Sequence, residues 1–138
     1  MPTPQPGILS PLPAQARYLN FSLSDAQQMK ACLQALCAVV DGETTVAGVG
    51  TSLVQALGAS IEGLKPLPPV TAPGLSIQST PDALWLWLRG TDRGELLHRS
   101  RRLAHVLAPA FKLEELWDAF KYQDGRDLSG YEDGTENP

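Results

Sequence analysis

The sequence predicts an α+β fold in which an antiparallel sheet carries helices on one face. Short apolar segments typical of strands alternate with segments whose apolar residues recur at helical spacing. The segment 83–89 (ALWLWLR) is apolar on both of its faces, as expected of a strand that is covered on two sides. With 138 residues, 43% of them apolar, the chain can bury one sizeable core and is predicted to form one domain.

Composition and charge exclude several classes of protein. The formal net charge is −4 and the apolar content is substantial, which argues against a disordered chain. A pI of about 5.0 argues against a nucleic-acid-binding domain. No run reaches the roughly 18 apolar residues of a membrane span, and the first 15 residues lack the features of a secretory signal. Cys32 and Cys37 lie on different faces of one predicted helix, so we expect reduced thiols in a cytoplasmic protein.

The first elements are predicted from prolines, alternation and helix signals. Residues 1–15 carry five prolines and are expected to form an extended arm, followed by a strand over 16–23. Ser24 is predicted to open a helix, with Gln27 completing a capping box. The apolar stripe of this helix comprises Ala26, Met29, Leu33, Leu36 and Val40.

The middle of the chain is predicted to hold two strands separated by a long connection. Residues 45–50 are small and β-branched, which indicates a buried strand, and Thr51 is expected to cap a short helix after it. The segment 59–82 carries five prolines and is predicted to be a long loop, which is uncommon in a compact domain. In the strand 83–89, the two tryptophans point to one face and the leucines to the other.

The last two predicted elements complete an order of strands and helices that matches a known fold plan. Thr91 is expected to cap a helix that runs to about Leu107, with a stripe formed by Leu96, Ser100, Leu103 and Leu107. In the segment 111–122, helical spacing of the apolar residues favours a helix, whereas the order of the other elements favours a strand. That order is the split βαβ, ferredoxin-like plan, so we expect residues 16–138 to form one ferredoxin-like domain.

The segment 124–138 (DGRDLSGYEDGTENP) differs in kind, because it places five carboxylates among three glycines. Glycine permits positive φ and a close approach of the backbone to a ligand. A calcium-binding loop is excluded by the spacing, since Arg126 and Ser129 occupy positions that require an oxygen ligand and a glycine. A solvated acidic turn is the alternative that the composition alone leaves open.

The same segment resembles a known family. Gly130-x-x-Asp133-Gly134 matches the GxxDG motif of the dye-decolourising (DyP-type) haem peroxidases. The longer run 127–138 resembles that family more specifically, with Tyr131 where the family usually has Phe. The opening PQPGI, at 4–8, is similar to the P-Q-x-G-I with which family members begin. The resemblance makes 111–122 a strand, and it covers the whole chain but only the N-terminal half of the family.

The resemblance implies a function and a site. It implies one half of a dimeric α+β barrel type fold that belongs to a haem-dependent peroxidase, which oxidises an organic reductant with hydrogen peroxide. Asp133 would be the distal acid–base residue, acting on peroxide at the haem iron. The expected haem-binding residues are Gly130, Asp133, Gly134, Thr135, Glu136 and Asn137.

The resemblance also implies what this chain lacks. The proximal histidine and distal arginine of the family belong to its second half, so we expect no metal ligand here and no activity of the chain in isolation. Haem b would bind only if a second half or a partner completes the site. The alternative is a non-catalytic α+β association module derived from the same scaffold. In either case exposed apolar surface predicts a homo-oligomer or a partner chain, and neither nucleic acid nor membrane is expected as a partner.

Three other sets of residues carry weaker hypotheses. His98 and His105, seven residues apart on one helix, are expected to be surface or capping residues rather than substitute iron ligands. Five arginines could form a docking face for the acidic tail, a partner or haem propionates, although a solvated helix face is the commoner explanation: Arg89, Arg93, Arg99, Arg101 and Arg102. Five aromatic residues could relay an electron to the surface, although core packing is their commoner use: Trp85, Trp87, Trp117, Tyr122 and Tyr131.

Overall fold

A computed structural model describes residues 3–132. In chain order the elements are α1 (Pro6–Leu9), β1 (Gln15–Leu23), α2 (Met29–Cys37), β2 (Thr45–Val49), α3 (Thr51–Ala56), β3 (Val70–Ala72), β4 (Leu75–Ile77), β5 (Leu84–Gly90), α4 (Arg93–Leu107) and β6 (Phe111–Phe120). Four strands form an antiparallel sheet in the order β2-β5-β1-β6, and β3 pairs only with β4. The predicted antiparallel α+β fold is therefore confirmed.

The main core lies between the sheet and the helices α2 and α4. Alternate residues of β1 and β5 point into it, among them Leu19 and Leu86, which are completely buried. The predicted stripe of α4 is buried as expected: Leu96, Ser100, Leu103 and Leu107. From α2, Met29, Cys32 and Leu36 reach the same core. The helical spacing therefore identified the packing face of α4. On α2 it was right for Met29 and Leu36, but it missed Cys32 and included Ala26, which is exposed outside the helix.

The second face of the sheet is aromatic and only half buried. Tyr18 stacks on Trp85 and on Trp87, with ring centroids 5.7 and 6.1 Å apart. Gly48 lies opposite Trp85 on β2, and a Cβ there would come within 3.3 Å of the indole ring. The expectation that both faces of β5 are covered is thus only partly met, since the helices cover the leucine face alone.

The N-terminal arm is a docked element rather than a free extended segment. It contains the helix α1, and its Gly7 packs on Val46 so closely that a Cβ would lie 2.7 Å from the valine methyl group. The side chain of Gln5 both donates to the carbonyl oxygen of Ala47 (2.8 Å) and accepts from its amide (3.0 Å). The prediction of a purely extended arm is wrong, because these contacts fix its first half against β2.

Three predicted helix starts are displaced. The amides of Ser24 and Asp25 donate to the carbonyl oxygen of Ala110, which holds this segment beside β6, so α2 begins only at Met29 and the proposed capping box is wrong. Thr51 is the first residue of α3 rather than its cap. The side chain of Asp92, not Thr91, accepts from the Glu95 amide at 2.7 Å and caps α4.

In two long segments the observed secondary structure differs from what the residue pattern alone predicts. Residues 111–120 form the strand that the element order and the resemblance indicated, and the helix favoured by apolar spacing is wrong. The ladder to β1 supplies the backbone hydrogen bonds, with one irregularity near Asn20. The connection 59–82, expected to be a loop, contains the β3–β4 hairpin.

The edge strand β6 is tied to α4 by a buried arginine. Arg17, on β1, donates to both carboxylate oxygens of Asp118 at 2.7 and 2.8 Å and to Ser100 of α4 at 3.1 Å. Arg93 of α4 also contacts Asp118, at 3.2 Å. The hydrogen bonds from Arg17 outweigh the partial burial of Asp118 and, with Arg93, lower the pKa of its carboxyl.

We expect Asp118→Asn to destabilise the protein by about 2–3 kcal/mol, because it leaves the buried guanidinium of Arg17 without its counter-charge. Chemical denaturation at pH 7 measures this loss. The matched control is Glu115→Gln on the same strand, whose exposed carboxylate makes only long contacts and whose replacement should have a much smaller effect.

The folded-state pKa of Asp118 lies below its unfolded value of about 3.9. The stabilisation is therefore complete above that pH and is lost as the pH falls through the folded-state pKa. Equal destabilisation by Asp118→Asn and Glu115→Gln would contradict the stabilising role of the Arg17–Asp118 ion pair.

Candidate functional site

A cavity of about 200 Å³ lies where β6 ends and the acidic segment begins. Its walls come from the end of the N-terminal arm, the aromatic face of the sheet and the segment that follows β6. The lining residues are Leu12, Pro13, Ala16, Tyr18, Trp87, Ala119, Phe120, Lys121, Tyr122, Gly125 and Arg126. The cavity therefore lies at the base of the segment that leads to the predicted site residue Asp133.

The arm forms one wall of this cavity because a buried arginine holds it there. Arg89 donates to the carbonyl oxygens of Gly7 and Pro11, the latter at 2.6 Å. Its guanidinium carbon lies 4.4 Å from the centre of the Trp87 ring, in cation–π contact. Arg89 thus joins the arm to the aromatic face and keeps Leu12 and Pro13 at the mouth of the cavity.

Trp87 brings a polar atom to the same place. Its indole Nε1 is buried and finds no hydrogen-bond acceptor within residues 3–132. A buried donor of this kind ordinarily has a partner. Trp87 therefore combines a place in the cavity wall with a buried donor that none of the described residues satisfies.

The segment after β6 turns back on itself at Gly130, the first residue of the GxxDG motif. The Gly130 amide donates to the Asp127 carbonyl oxygen at 3.0 Å, and Arg126 donates to the Gly130 carbonyl oxygen at 3.0 Å. Arg126 also forms an isolated β-bridge with Glu132. Gly130 has a φ of 92°, in the region that favours glycine. Gly130 therefore uses the positive φ that glycine permits, while its predicted contact with haem stays a prediction.

The remaining predicted site residues lie outside the described residues. These are Asp133, Gly134, Thr135, Glu136 and Asn137. Their assignment to haem binding and catalysis stays a prediction. What the structure establishes is the position of the turn from which they emerge, at the same corner as the cavity.

The histidines, arginines and aromatic residues singled out from the sequence lie in different parts of the structure. His98 and His105 are exposed on α4, across the sheet from the cavity. The arginines do not form one docking face: Arg89 is buried against the arm, Arg93 contacts Asp118, and Arg99 pairs with Glu95. Of the aromatic set, Trp85 and Trp87 stack with Tyr18, while Trp117 and Tyr131 are largely exposed.

One shifted carboxyl was not anticipated from the sequence. Burial, with the nearby charges of Glu115 and Glu114, raises the pKa of Asp82. Asp82 precedes β5 and so lies at the end of the sheet opposite the cavity. No sequence pattern signalled this shift, because it depends on which strand ends the fold brings together.

Comparison with known proteins shows which fold this is. No family model and no curated protein matches the sequence. Among solved structures, a variant of DypB from Rhodococcus jostii RHA1 in complex with heme matches with a TM-score of 0.78 and 26% identity, over 99% of this chain and 48% of that chain. The chain has the fold of half a DyP-type peroxidase.

Two further DyP-type structures match over the same extent. A dyp-type peroxidase protein from Shewanella oneidensis gives a TM-score of 0.80 with 24% identity, over 100% of this chain and 49% of that one. The encapsulated DyP-type peroxidase from Mycobacterium smegmatis gives 0.69 with 22% identity, over 100% of this chain and 48% of that one. The chain therefore spans about half the length of the peroxidases it matches.

Among the described residues, the side chains that could bind a metal ion lie apart from one another. Residues 3–132 contain no group of three or more His, Cys, Asp or Glu side chains that could bind a metal ion. Neither histidine lines the cavity, whose volume of about 200 Å³ is below the range of about 300–1,000 Å³ typical of pockets for larger ligands. Tyr18, Trp87, Phe120 and Tyr122 give this cavity an aromatic lining. The same part of the chain has no helix long and apolar enough to cross a membrane.

We expect Arg89→Met to release the arm from the cavity, because it removes both hydrogen bonds to the arm carbonyls. Amide hydrogen exchange at Gly7 and Ser10 should accelerate at least about tenfold, the equivalent of one charge-assisted hydrogen bond. Arg101→Met is the matched control, since Arg101 is exposed on α4. Unchanged exchange at both amides in Arg89→Met would show that other contacts hold the arm.

Proposed function

We propose that this chain is the N-terminal half of a haem-dependent peroxidase of the dye-decolourising type, which oxidises organic substrates with hydrogen peroxide. The observation that carries the proposal is the match of nearly the whole chain to half of DypB, whose structure contains heme. The run 127–138 supports it, because the turn at Gly130 leads directly into the family's acidic motif.

In this proposal the second half of the site comes from polypeptide beyond these 138 residues. The cavity at the end of β6 offers aromatic walls and an unpaired indole donor. The iron ligand and the arginine that the family resemblance implies would come from the completing half. We assign to Asp133 the acid–base role, since a carboxylate, with an unperturbed pKa near 4, is an effective base under mildly acidic conditions. The free thiols of Cys32 and Cys37 support a reducing, cytoplasmic location.

The second candidate is a non-catalytic association module on the same scaffold. It is favoured by the lack of an iron ligand among the described residues and by the exposed apolar side chains of β6. The most exposed of these are Trp117 and Phe120, each 61% accessible. Apolar surface of this kind on a chain with a well-formed core indicates a partner, which the two candidates share. Haem binding distinguishes them.

The test is haemin titration of the chain alone and after addition of the half of the R. jostii DypB chain that this chain does not match. We expect no stoichiometric shift of the Soret band with the chain alone, because neither histidine lines the cavity. With the complementing half we expect a Soret band and peroxide-dependent dye oxidation. A complex with the complementing half that binds no haem would favour the association module.

In the haem-loaded assembly, Asp133→Asn should lower the rate of peroxide-dependent oxidation by at least about a hundredfold, the usual scale for loss of a general acid–base residue. The Soret band should remain, since the substitution removes a charge and not a ligand. Asp124→Asn, in the same acidic segment but outside the motif, is the matched control and should retain activity. Full activity of Asp133→Asn would refute the assigned role.

A further inference from the structure

Another cavity, of about 310 Å³, lies on the helical side of the sheet between α4 and the start of β2. Its position follows from the register, because Thr45 in its wall lies opposite Leu88, whose side chain belongs to the core beneath the helices. The cavity falls within the range of about 300–1,000 Å³ typical of small-molecule sites. The sheet therefore separates this cavity from the aromatic face and from the site that other polypeptide is proposed to complete.

One side of this cavity is aliphatic. Val39, which follows α2, and Leu103 and Val106 of α4 supply it. Leu103 is buried in the main core, whereas Val39 is 55% exposed. The aliphatic surface thus runs from the core to the solvent, where it can contact a hydrocarbon chain but cannot pair a polar group.

Thr45 brings an unpaired hydroxyl to the same cavity. The residue is only 2% exposed, and its amide donates to Asp41 at 2.9 Å, but no hydrogen bond within residues 3–132 involves its hydroxyl. This hydroxyl is not sealed from solvent as the indole N–H of Trp87 is, and it therefore opens on the cavity. A polar group so deeply placed ordinarily has a partner, which a ligand in the cavity would supply.

Arg102 gives the cavity a positive charge that no neighbour neutralises. It is exposed and has neither a hydrogen bond nor an ion pair within residues 3–132. Arg99, which also lines the cavity, pairs with Glu95 at 2.7 Å and donates to the Thr44 carbonyl oxygen at 2.9 Å. Asp41 accepts from three backbone amides and from the Thr44 hydroxyl. Both carboxylates near the wall are thus engaged, which leaves the guanidinium of Arg102 to bind an anion.

We propose that this cavity binds a monocarboxylate with an unbranched aliphatic tail, of the medium-chain fatty-acid class. Arg102 would bind the carboxylate, because a guanidinium matches its two oxygens with paired hydrogen bonds, and the Thr45 hydroxyl would be a further donor. The tail would lie against Leu103 and Val106. Binding requires both ends of the ligand, since an exposed ion pair alone contributes little.

Titration of the full chain with sodium octanoate, followed by calorimetry and by amide NMR spectra, tests this inference. We expect saturable binding with a Kd below about 1 mM, and shifts of the amides of Thr45, Leu103 and Val106. Arg102→Gln should weaken binding at least about tenfold, the scale of one hydrogen bond to a charged group. Arg101→Gln is the matched control, because it removes the same charge from an adjacent exposed residue that does not line the cavity, and it should leave the affinity unchanged. Thr45→Val, which removes the hydroxyl and keeps the shape, should weaken binding about fivefold.

Two further ligands separate the contributions of charge and tail. Octanol has the same tail without the charge, and hexanoate has the same charge on a shorter tail, so each should bind at least about tenfold more weakly than octanoate. Circular dichroism verifies that each variant retains the fold.

Failure of octanoate to bind saturably up to about 1 mM would overturn the inference, as would octanol binding as tightly as octanoate. Equal loss of affinity in Arg101→Gln and Arg102→Gln would show a general effect of surface charge and would overturn the assignment to this cavity. Unchanged affinity in both Arg102→Gln and Thr45→Val would overturn it as well. None of these measurements uses haem, so the inference stands or falls separately from the proposed function.

Discussion

The ladder between β1 and β6, reinforced by the paired charges of Arg17 and Asp118, is the constraint on which the placement of the candidate site depends. β6 is the edge strand of the sheet and has a neighbour on one side only. The buried guanidinium of Arg17 joins it to β1 and, through Ser100, to α4. The segment toward Asp133 leaves the sheet from the end of β6. The position of that segment therefore depends on the contacts that hold β6 against α4.

The molecule separates two kinds of surface at opposite ends of its sheet. At one end Arg89 fixes the N-terminal arm against Trp87 and forms a small aromatic cavity beside the acidic segment. At the other end the β3–β4 hairpin forms a separate sheet, which pairs with no other strand of the described residues. A chain with the fold of half a DyP-type peroxidase therefore has its cavity at one end of the sheet and an exposed apolar hairpin at the other.

Much of the fold could be predicted from the sequence because burial patterns are local. The stripe from Leu96 to Leu107 and the alternation of β5 each identified the face that packs. The strand β6 could not be recognised from periodicity, since its apolar residues lie at helical spacing and only the ladder to β1 decides its conformation. The glycine-rich turn was predictable from residue type, but the cavity was not. It depends on Arg89, whose bonds to the arm join residues about 80 positions apart.

Hydrogen–deuterium exchange over residues 121–132 tests most directly the claim that this corner is one side of a site completed by other polypeptide. The comparison is between the chain alone and the chain with the haem-loaded complementing half of DypB. We expect amides such as those of Asp127 and Gly130 to become protected on assembly, while the exchange rates of amides in the β3–β4 hairpin do not change. Unchanged exchange throughout 121–132 in a haem-containing complex would contradict it.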